Sequence, residues 1–391
     1  MPTLRPFGLL PVLCFSFAGA TLASGQTFSS GTSIVQFDVV ESVDVQSGDG
    51  PVDSLQAVDQ PSLEDDVHPE PGGIEPAVST DLPEEAIEQR LQATPTAEFD
   101  ARANDEIWLV SSRHLRSRGG SVENLDVRRR VDGSRWQSES PHSLLGSDPT
   151  GWNRPVVIFV HGNRWDLNTA IRRGLQGYDQ TIVPWDAAPS IRYVIWTWPA
   201  DEIPGPIRDV RVKASKADQH SFHLARFLNG ISPQTPISLM GFSYGGRVAL
   251  GALHLMGGGR VDGCGLETTP GMTPAGYPSH RVNLTLVVPA IRNSCLIGTR
   301  SKAYSQINHL FLVYNSRDKY LGLFKFTRFS GKTPALGYTG ICGLNRLADH
   351  PYRVDQFNAS RAVGAEHSFL EYISDHRVEA RLRNHLLTPT R

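Results

Sequence analysis

No lysine or arginine occurs between Pro6 and Gln89. That gap divides a chain whose overall charge is close to balanced, with 38 basic and 40 acidic residues over 391 positions. The stretch through Asp100 holds 17 of the 40 acids, so the remainder is basic. Cysteine is scarce, at four residues, and their spacing matches no metal site. No P-loop occurs, and no G-x-G-x-x-G follows a strand, so no nucleotide cofactor is expected. No other cofactor and no nucleic-acid partner are expected either. There is no internal repeat. Beyond the N-terminus no apolar run is long enough to cross a bilayer.

What is present at the N-terminus reads as a secretory signal over residues 1–23. Arg5 starts it, an apolar run of about 14 residues follows over 7–20, and Ala18, Ala20 and Ala23 supply small residues for cleavage. Leu13 before Cys14 is not the small residue that a lipid-anchored signal wants. The expected location is therefore secreted or extracytoplasmic. Cys264, Cys295 and Cys342 would remain, and an export route permits one disulfide among them. Residues 24–104 are rich in Asp, Glu, Pro, Ser and Gly, too polar to offset the cost of ordering, and are expected to be disordered. Within them, 33–45 could form a transient strand and 83–91 two helical turns.

The folded body is expected over 105–391. Its strands are apolar runs at 106–111, 156–160, 191–199, 236–240, 282–288 and 310–314, with weaker ones at 125–130 and 352–357. Helical periodicity falls at 167–181 and 209–228, and a final helix is expected from His367 to about Leu387. The segment 325–351 is poorly patterned. Strands alternating with helices specify a mostly parallel sheet covered on both faces.

The body is organised around Gly241-Phe242-Ser243-Tyr244-Gly245-Gly246, a serine between glycines at the junction of a strand and a helix. So sharp a turn forces Ser243 into a strained conformation. It requires small residues two places before and after, which are expected to crowd each other, while Gly246 lets the helix approach the strand. His161-Gly162-Asn163 closes an earlier apolar strand. Asp318 follows another strand 75 residues after Ser243, and His367 lies 49 residues further on.

These features in this order resemble the α/β-hydrolase fold family, over roughly residues 107–387. The resemblance implies a Ser243, Asp318, His367 triad. It also implies an oxyanion hole made by the backbone N–H groups of Asn163 and Tyr244. His350 and His376 rival His367 as the base, and Asp349 and Asp355 rival Asp318. Glu366 is too close to His367 to orient it. His161 is assigned to shaping the oxyanion loop. Trp165 and Phe242, together with Tyr244 and Trp196, could line an acyl pocket, although Trp196 suits core packing as well. Trp198-Pro199 after a strand is similar to one exported subgroup with few assigned functions. The missing second glycine after His161-Gly162, and the lack of a lid insertion before Asp318, separate the chain from true lipases.

The implied activity is a cofactor-free serine hydrolase acting on an ester or related acyl bond in a small-molecule substrate. Peptidase, amidase or thioesterase activity is the alternative within the class. An exported binding module that keeps the fold without catalysis is the alternative outside it. The charge split leaves three readings open. The acidic segment folds over the basic body, or the body docks on an anionic surface such as a polysaccharide or membrane face, or the segment is a solvated tail.

Overall fold

The computed structural model describes residues 101–387 except 117, 147, 152, 267–280, 328–329, 348 and 350–352. The expected signal at 1–23, the acidic segment up to residue 100, its strand at 33–45 and its helical turns at 83–91 lie outside the described residues, as does much of the Gly/Pro loop after residue 257. Residues 101–104, assigned by sequence to the disordered segment, are tied to the body. Arg102 pairs with Asp105 at 2.9 Å and donates to the carbonyls of Trp185, Ala188 and Pro189.

Among the described residues, nine strands form one sheet: β1 (Glu106–Ser111), β2 (Asp126–Val131), β3 (Arg135–Glu139), β4 (Val156–Val160), β5 (Arg192–Thr197), β6 (Ile237–Phe242), β7 (Val282–Val287), β8 (Ile307–Tyr314) and β9 (Val354–Asn358). Their order is β3-β2-β1-β5-β4-β6-β7-β8-β9. The β1–β2 and β2–β3 pairs are antiparallel and the others parallel. The fold is thus a mostly parallel α/β sheet. Strands β4, β5, β6 and β7 are buried at every position, which is why they read as apolar runs rather than alternating ones.

Helices α1 (Leu167–Thr181), α2 (Pro206–Gly230) and α3 (Tyr244–Met256) follow β4, β5 and β6. Neighbouring residues of β5 show that both faces are covered. Ile195 meets α1, where a Cβ on Gly174 would lie 2.8 Å from its side chain. Trp196 points the other way and packs on Phe227 of α2 at 5.4 Å. Trp196 is fully buried there, in the core and not in a pocket. Helix α1 begins where the sequence indicates because the Asp166 carboxylate accepts from the Thr169 N–H at 2.7 Å.

One local expectation is corrected, and two elements appear that no sequence pattern announced. The C-terminal helix is two helices, α4 (Phe369–Ile373) and α5 (His376–Leu386). Ser374-Asp375 interrupts them, and Asp375 caps the second by accepting from the N–H groups of Arg377 and Val378. Strand β3 pairs with β2 as a polar edge ribbon that no apolar alternation announces. The segment 325–351 contains a turn of helix at Leu336–Thr339 that starts on buried Leu336. There Gly337 packs so close to the end of β7 that a Cβ would lie 2.3 Å from the Val288 carbonyl carbon.

The turn from β6 to α3 fixes the centre of the sheet's C-terminal edge. A Cβ on Gly241 would lie 2.7 Å from the Gly246 Cα, so this glycine is crowded from within the turn. Gly245 is crowded differently from expectation. Its Cβ would lie 2.0 Å from the Val160 carbonyl oxygen and 2.6 Å from that of His161, so the obstacle is the end of the neighbouring strand. Gly245→Ala should therefore cost about 3 kcal/mol, the upper end of overpacking losses, because carbonyls fixed in the sheet cannot move aside. Urea unfolding of the variant measures this, and a loss under about 1 kcal/mol would contradict the wedge.

Candidate active site

Ser243 follows β6 with φ 51° and ψ −117°, outside the regions that ordinary residues favour. A conformation of this kind costs roughly 1–3 kcal/mol and persists only where the surroundings impose it. They do so here through three backbone bonds. The Ser243 N–H donates to the Val287 carbonyl at 3.0 Å, and its own carbonyl accepts from Gly246 and Ala290, each at 3.1 Å. The serine is thereby fastened to the end of β7 as well as to its own helix.

His367 lies in the loop ahead of α4. Its Nε2 is 2.9 Å from Ser243 Oγ, and its Nδ1 is 2.6 Å from Asp318 Oδ2. Asp318 is fully buried just after β8. Its other oxygen accepts from the N–H groups of Tyr320 and Leu321 at 3.0 and 2.9 Å, which fixes the carboxylate plane. The structure thus brings Ser243, His367 and Asp318 into one chain of contacts. The rivals are elsewhere. Asp355 is paired with Arg381 and His385, Asp349 and His376 are exposed, and His350 is outside the described residues.

Two residues that sequence reading did not select brace this arrangement. The Tyr372 hydroxyl is 3.2 Å from Asp318 Oδ2 and 2.9 Å from the Glu366 carbonyl, two acceptors for its one proton. Asn315 donates to the Tyr372 oxygen at 2.8 Å and to the Gly364 carbonyl at 3.0 Å, joining the end of β8 to the His367 loop. Burial, and then the Asp318 charge, push the Tyr372 phenol well above its usual range, so it remains a donor. Neither residue belongs to a sequence motif. Asn315, within the Asn-Ser-Arg-Asp run after an apolar strand, carried the only signal, and it reads equally as a turn residue.

The His161-Gly162-Asn163 turn lies against the serine, since a Cβ on Gly162 would come within 3.3 Å of the Ser243 Cβ. Tyr244 is the first residue of α3, so its N–H has no acceptor within the helix. Its side chain is buried against α2, with the hydroxyl donating to the Val210 carbonyl at 3.1 Å. The His161 ring is fully buried and bonded locally, with Nδ1 2.8 Å from the Gly162 carbonyl and Nε2 accepting from the Trp198 N–H at 3.3 Å. Burial, reinforced by the Arg113 charge, pulls its pKa down to about 3. A neutral ring that holds two strand ends together suits the structural role and not that of a base.

Asn163 is held by a charge cluster that sequence reading also passed over. Asp209 of α2, fully buried, accepts from Asn163 Nδ2 at 2.8 Å and from Arg164 Nε at 3.1 Å. On its other oxygen it meets Lys213 Nζ at 3.3 Å. Burial alone would raise the Asp209 carboxyl, but Arg164, Asn163 and the Lys213 charge outweigh it and hold it below the usual range. At i and i+4 on a helix, Asp209 and Lys213 look like a solvated pair, so nothing in the sequence marks them as interior.

Phe242 is buried and packs on the His367 ring at 5.2 Å, on Trp165 at 5.6 Å and on Phe369 at 5.4 Å. Trp165 is half-buried and reaches Phe369 at 6.3 Å. These rings form a wall beside the imidazole. All three described cysteines are free. Among the described residues, no group of His, Cys, Asp or Glu could hold a metal ion, and no helix is long and apolar enough to cross a membrane.

No family model matches the chain, and no curated protein matches it. Among solved structures, it is similar to the crystal structure of Zea mays acyl-protein thioesterase 2, at 14% identity and a TM-score of 0.30, over 60% of this chain and 94% of that one. At that identity and TM-score the likeness decides neither the fold nor the activity.

Two stability effects follow from the buried groups. Asp209→Ala strands the Lys213 ammonium and should cost about 3–5 kcal/mol, whereas Asp209→Leu combined with Lys213→Met should recover most of it. Equal losses in chemical unfolding of the two variants would refute that account. The His220 ring, buried beside Ser112, is also pulled down to about 3, chiefly by burial. With His161 it stays neutral in the fold but takes up a proton on unfolding below about pH 6.5. Stability should be full above that pH and fall towards about pH 3. The loss should begin between about pH 6.5 and 5, before carboxylates titrate, and a flat urea midpoint across that interval would exclude it.

Proposed function

We propose that the chain is a serine hydrolase of the α/β-hydrolase type acting on an ester or related acyl bond. The observation that carries the proposal is the Ser243–His367–Asp318 chain, at 2.9 and 2.6 Å, on a serine whose backbone is strained at a strand–helix turn. A serine hydroxyl is a weak nucleophile near neutral pH and needs an adjacent base. His367 Nδ1–H donates to Asp318, which leaves the Nε2 lone pair to take the Ser243 proton as Oγ attacks the acyl carbon. Asp318 stabilises the imidazolium, and His367 then protonates the leaving group. The resulting acyl-serine is released when His367 activates a water molecule in the same way.

The negative charge that develops on the carbonyl oxygen falls to the N–H groups of Asn163 and Tyr244. Their support is the close approach of the Gly162 turn to Ser243 and the position of Tyr244 at the start of α3. Trp165 and Phe242 supply the apolar wall for the acyl group. Asp209 acts at one remove, holding the Asn163 and Arg164 side chains. The N-terminal apolar run and its small residues support a location outside the cytoplasm.

Labelling with a fluorophosphonate probe tests the reading directly. The wild-type protein should label, Ser243→Ala should not, and no labelling of the folded wild-type chain would sink the proposal. On short p-nitrophenyl esters, Ser243→Ala or His367→Ala should lower kcat by about 10⁴- to 10⁶-fold. Tyr372→Phe, which removes a long, shared bond to the carboxylate, should lower it by only about tenfold.

A further inference from the structure

We infer that the segment directly after Asp318 is a docking surface for an anionic lipid bilayer, set at the mouth of the site. Three large apolar side chains within seven residues are exposed there: Tyr320 at 61%, Leu323 at 63% and Phe326 at 75%. The backbone explains their alignment. The Leu323 N–H donates to the Tyr320 carbonyl at 3.2 Å, and the Phe326 N–H to the Leu323 carbonyl at 3.0 Å. Such i→i+3 bonding eclipses side chains three apart, so the three form one ridge. Leu321 and Phe324, also three apart, are buried and tie the opposite side to the core. The element is a short amphipathic turn that leaves its apolar outer side chains to solvent.

Charge identifies the occupant. Between Asn315 and Ala335 the sequence has five basic residues, Arg317, Lys319, Lys325, Arg328 and Lys332, and a single acid. That acid is Asp318, buried and committed to His367. Exposed Arg317, Lys319 and Lys325 flank the ridge. Tyr, Leu and Phe inserting at the headgroup boundary, ringed by cations, is the chemistry of an interface rich in anionic lipid. The Tyr320 ring stands 5.8 Å from that of His367, so a docked bilayer would bring acyl chains to the serine. This last step rests on the proposed hydrolase reading, whereas the docking does not.

Flotation of the full chain with vesicles tests the docking apart from any activity. Wild-type protein should float with phosphatidylcholine–phosphatidylglycerol vesicles far more than with phosphatidylcholine alone, and should be released as salt rises. Leu323→Ser combined with Phe326→Ser should weaken binding at least about tenfold. Lys319→Gln with Lys325→Gln should remove most of the dependence on phosphatidylglycerol. Thermal melts of both variants should match wild type, as should their rates on p-nitrophenyl acetate if the hydrolase reading holds. The inference is overturned if wild type binds neither vesicle or if the double serine variant binds equally well. It is also overturned if the ridge holds a dimer that the serine variant dissociates, or if carbodiimide cross-links Lys319 or Lys325 to residues 26–100.

Discussion

The approach of Gly245 to the end of β4 is the contact on which the rest depends. Backbone atoms of the turn meet the Val160 and His161 carbonyls with no room for a side chain. That approach sets how far α3 sits from the sheet, and with it the position of Ser243. The same contact brings the Gly162 turn alongside the serine. A site assembled from distant stretches of chain therefore rests on one place where two strand ends and a helix start interlock.

Around this wedge, buried charges are committed to partners. Asp209 fastens the loop after β4 to α2, and Asp218 of the same helix pairs with both Arg247 of α3 and Arg300, at 2.5 and 2.7 Å. Buried ion pairs add little net stability, but losing one partner is costly. Their effect here is to fix which elements neighbour one another at the C-terminal edge of the sheet, where the loops carrying the site emerge. Tyr372 and Asn315 do on the His367 side what Asp209 does on the Asn163 side.

Sequence pattern reached the sheet's centre and the residues that line the serine, for a common reason. Fully buried parallel strands and a glycine-bounded turn are local signals, and Val156–Val160 or Gly241–Gly245 need no partner to be recognised. Strand β8 starts earlier than its apolar run because Asn308 is interior, bonded to Asn283 at 2.9 Å, and a polar residue hides the strand. The break at Ser374-Asp375 was readable as a cap but was masked by the amphipathic pattern on either side. Asp209, Lys213, Tyr372 and Asn315 depend on contacts between segments far apart in the chain, so their setting could not be read locally. For the N-terminal hundred residues, composition alone speaks.

The bonds at Ser243 also bear on the order of folding. Its N–H and carbonyl are engaged by residues at the end of β7, and its helix is pressed against the end of β4. Until those long-range parallel pairings close, nothing compensates the unfavourable backbone angles, and the residue would relax to an ordinary turn. Non-local pairing of this kind is slow to form. Should the chain travel to its destination unfolded, the proposed nucleophile would be disarmed on the way, and the proposed reactivity would arise only with the completed sheet.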